Sequence, residues 1–402
     1  MPKPKYKNKQ ENILAGSGSG AKSFLRWTDW PTIILCLICS AFGILMVHSV
    51  TMPPEHVEQT ISGAVITMVV AVLLGLLAAL AMSYLDYELL LRFWYVIAAV
   101  CLVLMLALIP FGQPPEGRDD ANRWLIIGGF SFQPSELLKL GFIISLTWHI
   151  HLVRDHVNKL RNIALLGAHA MVPFGLVIIT GDLGSALVLL FVTIGMLFLA
   201  GLKLRWFAAM VALGAAAAPL IWFRFMQGFQ QNRILAIYFP HLLNDESLVR
   251  DLMLQQNQAM TAIGAGQLTG RGLFQGTVHV ILQENDMIFS RIGEELGFIG
   301  SVAALALLAA VIIRLVVVSS RTRNLRARLL CAGSAFMIGS QAIINIGVTI
   351  RLLPVTGITL PFFSAGGSSN LALYLTIGLV LSVFRHQNEN EDTQSYFDYL
   401  YS

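Results

Sequence analysis

Long apolar runs alternate with short polar breaks along the chain. They lie at about 28–50, 60–82, 90–110, 135–153, 160–180, 183–200, 204–224, 287–317, 328–350 and 368–385. About 20 residues of helix cross the hydrocarbon core of a bilayer, so each run reads as a spanning helix. The pattern predicts an all-α, polytopic integral membrane protein with about ten transmembrane helices. The first run follows a basic flank, as a signal peptide does. It is too long for a signal-peptide core and lacks a small-residue cleavage site before polar chain, so it is expected to remain as the first span.

The polar segments divide the chain further. Residues 1–26 carry Lys3, Lys5, Lys7, Lys9, Lys22 and Arg26 with a Gly-Ser stretch at 16–20, a composition expected to be a disordered basic tail. Residues 27–385 form the ten-span domain, and 386–402, opening HQNENEDTQ, form an acidic solvated tail. Between the seventh and eighth spans, residues 225–286 make a large external loop. Loops beyond about 15 residues are usually functional or disordered, and this one is not composed like disorder. Leu248, Val249, Leu252, Met253, Gln256, Met260 and Ile263 fit one helix face, ended by Gly264 and Gly266. A short amphipathic helix on the outer membrane surface is expected there.

Composition supports the same class. The 402 residues are 56% hydrophobic and 12% charged, with mean hydropathy +0.69. A soluble domain carries about 25% charged residues, so an ordinary soluble enzyme is excluded. The formal net charge of +4 implies no nucleic-acid partner, because the charge is sorted by topology and not gathered on a face. Eighteen of the 27 Lys and Arg share a side with the N-terminus, eight lie opposite, and Lys139 sits near the start of a span. By the positive-inside rule both termini are expected to be cytoplasmic. Fourteen of the 23 acidic residues fall on or near the outer side, among them Glu116, Asp119 and Asp120, so polar chemistry is expected there. Cys36, Cys39, Cys101 and Cys331 lie within spans; the CxxC of Cys36 and Cys39 offers too few ligands for zinc. No internal repeat is evident, which disfavours an inverted-repeat transporter.

Four clusters could carry chemistry. At the start of the eighth apolar run stand Glu284, Asn285, Asp286, Arg291, Glu294 and Glu295. Asp286 or Asn285 could cap the helix while Arg291 pairs with Glu295. That leaves Glu294 and Glu295 about 12–14 Å further along the helix, at a depth where charge is costly. Arg123-Trp124 and Gln133-Pro134-Ser135-Glu136-Leu137-Leu138-Lys139 form the second cluster. There Glu136 and Lys139 either neutralise each other at i, i+3, or Lys139 and Arg123 hold a phosphate or diphosphate. Asp182, in the turn Gly181-Asp182-Leu183-Gly184-Ser185, reads as a helix cap or a site residue. Residues 351–369 are apolar but broken by Pro and Gly, and such backbone survives at membrane depth only when buried or lining a wet cavity. Their Gly-Gly-Ser-Ser turn, with Ser368 and Ser369, offers N–H groups to an anion at a helix start. None of the nine histidines falls into a metal-ligand pattern.

Taken in order, these motifs resemble the SEDS family (shape, elongation, division, sporulation) of cell-wall proteins typified by RodA, FtsW and SpoVE. The matches are Arg-Trp…Phe-Gln-Pro-Ser-Glu-Leu at 123–137, Asp-Leu-Gly-Ser-Ala at 182–186 and Gln-Ala-Met-Thr-Ala-Ile-Gly at 258–264. They continue with Asp-Met-Ile-Phe…Glu-Glu-Leu-Gly-Phe-Ile-Gly at 286–300 and Leu-Pro-Val-Thr-Gly…Leu-Pro-Phe…Gly-Gly-Ser-Ser at 353–369. Glu284-Asn285 stands where the family has His-Thr, Gly181 replaces a Pro, Gln267 a Gly, and Ala365 an aromatic.

The resemblance implies a peptidoglycan glycosyltransferase that polymerises lipid II, a disaccharide-pentapeptide on undecaprenyl diphosphate, at the outer face of the bacterial cytoplasmic membrane. It implies a class B penicillin-binding protein as partner. The family's essential acid maps onto Asp286, its Arg-Trp onto Arg123 and Trp124, and its Glu and Lys onto Glu136 and Lys139. Asp286 is then expected to act as base or metal-assisting carboxylate, with Arg123, Lys139, Arg233 and Arg271 as diphosphate ligands. No cofactor is required by the residues; the chemistry admits a divalent cation, Mg2+ or Mn2+. Two rival readings stand beside the enzyme: a flippase for the same lipid, and a non-catalytic scaffold for a synthase.

Overall fold

A computed structural model describes residues 27–52, 61–114, 122–128, 130–226 and 228–401, with side chains up to Asn388. The expected basic tail at 1–26 and the acids Glu116, Asp119 and Asp120 lie outside the described residues.

The ten apolar runs are ten helices. In chain order α1 is Trp30–Thr51, α2 Gly63–Tyr84, α3 the short Tyr87–Arg92, α4 Trp94–Phe111, α5 Pro134–Val153, α6 Leu160–Ile179 and α7 Leu183–Leu199. Then come α8 Leu204–Leu220, α9 Gly228–Tyr238, α10 Glu246–Gly266, α11 Ile288–Arg321, α12 Leu325–Thr349 and α13 Gly367–Tyr401. Among the described residues nine are long and apolar enough to cross a membrane, and α7, with 17 residues, is a shorter apolar tenth. The chain is therefore a multi-pass membrane protein.

The helix starts follow from local chemistry. Ser62, Asp182, Asp245 and Asn324 cap α2, α7, α10 and α12 by accepting backbone N–H groups. Pro31 and Pro134 occupy first turns, where a missing N–H costs nothing. Small residues bring the helices together: a Cβ on Gly378 would strike the backbone of Ala79 on α2, and one on Gly195 would overlap the Phe336 ring on α12. The centre of the bundle is α12, α5, α11 and α13, whose facing residues are buried. By contrast α8 has no buried residue at all.

Three features go beyond the hydropathy pattern. Leu125–Ile127 and Phe130–Phe132 pair as an antiparallel hairpin before α5, too short for a hydropathy run to register. α11 bends at Gly297, where φ is +65° and ψ −159°, a backbone conformation natural to glycine. Last, α13 does not stop near 385; the backbone stays helical to Tyr401 through the acidic segment.

The loop between α8 and α11 is structured. The amphipathic helix expected over about 248–263 is present as α10 and is longer. Its inner face, with Met253, Gln256, Ala259, Ala262 and Gly266 buried, packs on the first turns of α11. Gly266 sits so close to the Gly293 carbonyl that no side chain fits between them. Gln256 Nε2 donates to the carbonyls of Val348 at 2.7 Å and Leu353 at 2.8 Å. Met260, assigned to the apolar face from the sequence, is exposed, and Ala259 and Ala262 take the inward positions.

Candidate functional site

Where the chain leaves the large loop and enters α11, it carries Asp286. Its backbone is pinned from two elements. Asn345, buried in α12, donates Nδ2 to the carbonyls of Asp286 and Ile358, both at 2.7 Å. The broken segment before α13 grips the preceding residues: Ala365 N–H donates to the Glu284 carbonyl at 2.8 Å, and Ser364 Oγ to the Asn285 carbonyl at 2.5 Å. Residues 351–366 are thus non-helical because their polar groups serve as the clamp for this turn, as the burial rule for irregular backbone requires.

The Asp286 side chain is treated differently from its backbone. Among the described residues its carboxylate makes no hydrogen bond and no ion pair. It does not cap α11, whose first residues follow Met287 without a side-chain cap. Protein surrounds it, yet it keeps partial access to solvent. Burial pushes its carboxyl up to about 6, a rise opposed by Arg123 and reinforced by the charges of Asp182 and Glu284. Glu284 is also half-buried and in no side-chain hydrogen bond.

Asp182 is the opposite case. Its carboxylate accepts Gln133 Nε2 at 3.0 Å, Ser135 Oγ at 2.8 Å and the Ser185 N–H at 3.1 Å, with Arg123 at 4.0 Å. Burial pushes this carboxyl up, but Arg123 and these hydrogen bonds outweigh it and hold the group below the usual carboxylate range. Asp182 therefore caps α7 and ties it to the start of α5. Arg123 is buried and donates to the Thr356 carbonyl at 3.0 Å and to the Gly181 carbonyl, while its Nε has no partner. It links the hairpin, the α6–α7 turn and the clamp segment. Trp124, half-buried, holds the hairpin by backbone bonds with Gln113 at 2.8 and 3.2 Å.

The other sequence candidates fall in several places. Lys139 is 1% exposed and paired with Glu136 at 2.6 Å, so both charges are spent on each other. Arg233, half-buried, lies over the Phe229 ring and reaches the Val355 carbonyl at 3.5 Å, beside the Thr356 that Arg123 holds. Arg271 sits apart from this group, on the strand of loop bound to the Glu294 carbonyl, with its guanidinium on Thr277. Ser368 Oγ accepts the Gln133 N–H and donates to the Ser131 carbonyl, at 3.2 and 3.0 Å, fastening α13 to the hairpin. Ser369 donates to the Gly366 carbonyl at 3.3 Å.

Glu294 and Glu295 have a structural duty. Glu294 accepts the N–H groups of Thr277 and Val278 at 2.7 and 2.9 Å and meets Arg291 at 3.2 Å. Glu295 accepts Ser49 Oγ at 2.5 Å and the Gly276 N–H at 3.2 Å, and pairs with Arg291 at 3.3 Å. The two buried carboxylates thus fold the 270–280 segment onto α11 and tie it to α1. Sequence reasoning did not single out Asn345, and it placed Gln133, Ser135 and Ser364 within candidate clusters without giving them a role of their own. The signal for Asn345 was a lone amide within an apolar run, which must find hydrogen bonds once buried.

Fold and site together define a polytopic membrane protein that holds a free carboxylate at its acid-rich end, within a frame of clamped loops. The chain belongs to the FtsW/RodA/SpoVE family of cell cycle proteins, whose model matches residues 29–389. It is 31% identical over 396 residues to the probable peptidoglycan glycosyltransferase FtsW of Mycobacterium tuberculosis, covering 94% of this chain and 73% of that protein. It is 31% identical over 293 residues to the peptidoglycan glycosyltransferase MrdB of Escherichia coli K12, covering 72% and 76%. In structure it is similar to a chain of a peptidoglycan synthase complex that coordinates polymerisation and crosslinking, with TM-score 0.72, 30% identity and coverage of 89% and 98%. It is also similar to the rod shape determining protein RodA of Thermus thermophilus, with TM-score 0.65, 29% identity and coverage of 89% and 97%.

Proposed function

We propose that this chain is a peptidoglycan glycosyltransferase of the bacterial cytoplasmic membrane, polymerising lipid II into glycan strands at the outer face, with both termini cytoplasmic. The observation that carries the site assignment is the free carboxylate of Asp286 on a backbone held by Asn345, Ser364 and Ala365. Its supporting side chains are engaged, and it is not. The names of the relatives supply the reaction class.

Glycosyl transfer needs a base for the attacking hydroxyl and positive charge for the leaving diphosphate. Asp286, held near pH 6, is ionised at neutral pH yet basic enough to take the proton of the acceptor's 4-hydroxyl as that oxygen attacks the donor's anomeric carbon. The bond to the diphosphate oxygen breaks, and the undecaprenyl diphosphate leaves. Arg123, whose charge acts on Asp286, and Arg233, on the carbonyl next to the one Arg123 holds, are assigned this charge, while Lys139 is neutralised by Glu136. Trp124, Ser368 and Ser369 brace the hairpin and the start of α13 beside it, and Arg271, on the loop folded onto α11, lies apart from them. Among the described residues no three His, Cys, Asp or Glu side chains gather to hold a metal ion, so a Mg2+ or Mn2+ ion would have only Asp286 and Glu284 from the chain and would take its remaining ligands from the diphosphate and water. A class B penicillin-binding protein is the partner proposed to crosslink the product.

The test is polymerisation of fluorescent lipid II by the purified chain in detergent micelles, alone and with the class B partner. Micelles have no second compartment, so a flippase yields no product there. Glycan ladders from the chain or from the pair support the enzyme. No ladder under either condition contradicts it.

A further inference from the structure

The clamp that grips residues 284–286 is itself seated on α1. Gly43 lies eight residues before the end of that helix, about 12 Å from it at 1.5 Å per residue. A Cβ on Gly43 would strike the Phe362 carbonyl oxygen and lie 2.6 Å from Phe363 Cα and 2.9 Å from the Phe363 carbonyl oxygen. The clamp backbone therefore rests directly on the helix, where only glycine leaves room. Phe362 is held in the left-handed region, at φ +68°, and is 1% exposed. That conformation is costly for a bulky residue and persists only where the surroundings impose it.

Aromatic rings fix the same turn from two helices. Phe363 meets Phe42 of α1 edge-on, with centroids 5.4 Å apart, and Phe362 meets Tyr374 of α13 edge-on at 5.9 Å. The Tyr374 hydroxyl is in turn tied to Ser40 of α1, at 2.9 Å. From this seat the constraint passes upward. The N–H groups of Phe363 and Ser364 donate to the Leu360 carbonyl at 3.1 Å, and Ser364 Oγ accepts the Leu360 N–H at 2.8 Å. The same Oγ donates to the Asn285 carbonyl. Six residues beyond Gly43, α1 also holds α11: the Ser49 carbonyl accepts Arg291 Nη2 at 3.2 Å, and Ser49 Oγ donates to Glu295.

We propose that α1 is the strut that places Asp286, with Gly43 as a positioning residue for glycosyl transfer: α1 fixes the clamp against α11, and the turn carrying Asp286 bridges the two. The inference rests on the assignment of Asp286 as the base. Ordinary contact between carbon atoms begins at about 3.5 Å, so a methyl on Gly43 displaces the Phe362–Phe363 turn by about 1 Å. Ser364 hands that displacement to Asn285, the residue before Asp286. Gly43 itself acts only through the clamp.

Full-length Gly43→Ala and Gly378→Ala chains in detergent, beside wild type, test this. Gly378→Ala is the control: its methyl overpacks a helix contact just as tightly, 2.7 Å from Ala79 Cα, with Ala79 and Met82 of α2 as its nearest neighbours and no part of the clamp. In lipid II polymerisation, Gly43→Ala should lose kcat about 100-fold, the cost of a 1 Å misplacement, with KM within about twofold of wild type. Gly378→Ala should lose thermal stability and keep kcat. Phe42→Leu, which takes the ring edge from Phe363 and adds no bulk, covers the case in which Gly43→Ala does not fold. Its Ser364 and Ala365 amides should exchange hydrogen about fivefold faster, the equivalent of one aromatic pair. A folded Gly43→Ala with wild-type kcat, a loss confined to KM, an equal kcat loss in Gly378→Ala, or unchanged exchange in Phe42→Leu would overturn the proposal. An inactive wild type would count against the reaction itself, and the exchange rates would then decide the strut alone.

Discussion

Asn345→Leu separates the clamp from the chemistry. Asn345 is 1% exposed, and its Nδ2 makes two hydrogen bonds of 2.7 Å to the carbonyls of Asp286 and Ile358. Leucine keeps the branched heavy-atom skeleton, adds some bulk and has no donor. Each buried carbonyl left without a partner costs about 1–3 kcal/mol. The lost Oδ1 of Asn345 is itself buried and unpartnered, so its removal offsets part of that, leaving a net destabilisation of about 2–4 kcal/mol. The larger effect falls on rate, because a shift of about 1 Å in a reacting group costs about 100-fold. The assay is lipid II polymerisation by purified variant and wild type, with thermal unfolding in the same detergent. Thr349→Val is the control: its hydroxyl donates only to the Asn345 carbonyl, one turn away in the same helix. A leucine variant with wild-type rate and stability would refute the claim that Asn345 holds Asp286 in place.

Other consequences follow from the same geometry. Glu294→Ala removes the acceptor of two peptide N–H groups and one partner of buried Arg291; breaking such a pair costs about 3–5 kcal/mol, readable as a lower unfolding temperature. Gly266→Ala places a methyl against the Gly293 carbonyl and should cost about 1–3 kcal/mol by overpacking, with α10 exchanging its amide protons faster. The polymerisation rate should rise with pH through about 6 as Asp286 ionises, and Glu284→Gln, by removing a like charge, should move that midpoint down. Folding binds the Asp286 proton more tightly than the unfolded chain does, so this group's contribution to stability falls between about pH 4 and pH 6.

Legibility in the sequence tracked the range of the interactions involved. Ten spans were readable because lipid imposes a length and a composition on each run separately, and α7 was found despite its 17 residues. Caps and i, i+3 pairs were readable for the same reason: Asp182 caps α7, and Glu136 meets Lys139, using residues a turn apart. Long-range partners were not. Nothing local says that Asn345 would reach Asp286, or that Glu294 would receive N–H groups from Thr277 and Val278. The cost of charge at the depth of Glu294 and Glu295 was visible, but its resolution needed a loop that folds back onto α11. The capping alternative for Asp286 fails because Met287 intervenes and the carboxylate is left free.

The central claim is that Asp286 is the base, and Asp286→Asn tests it most directly. The amide keeps the size of the side chain and leaves the hydrogen bond from Asn345 to the backbone untouched. Purified variant and wild type, matched for thermal unfolding in detergent, are compared in initial rates of lipid II polymerisation at pH 7.5 (about 1.5 units above the carboxyl's value of about 6), where the wild-type group is ionised. The account predicts loss of polymerisation by at least about 100-fold, the lower end of what general-base catalysis contributes. A folded asparagine variant that builds glycan strands at the wild-type rate would contradict it.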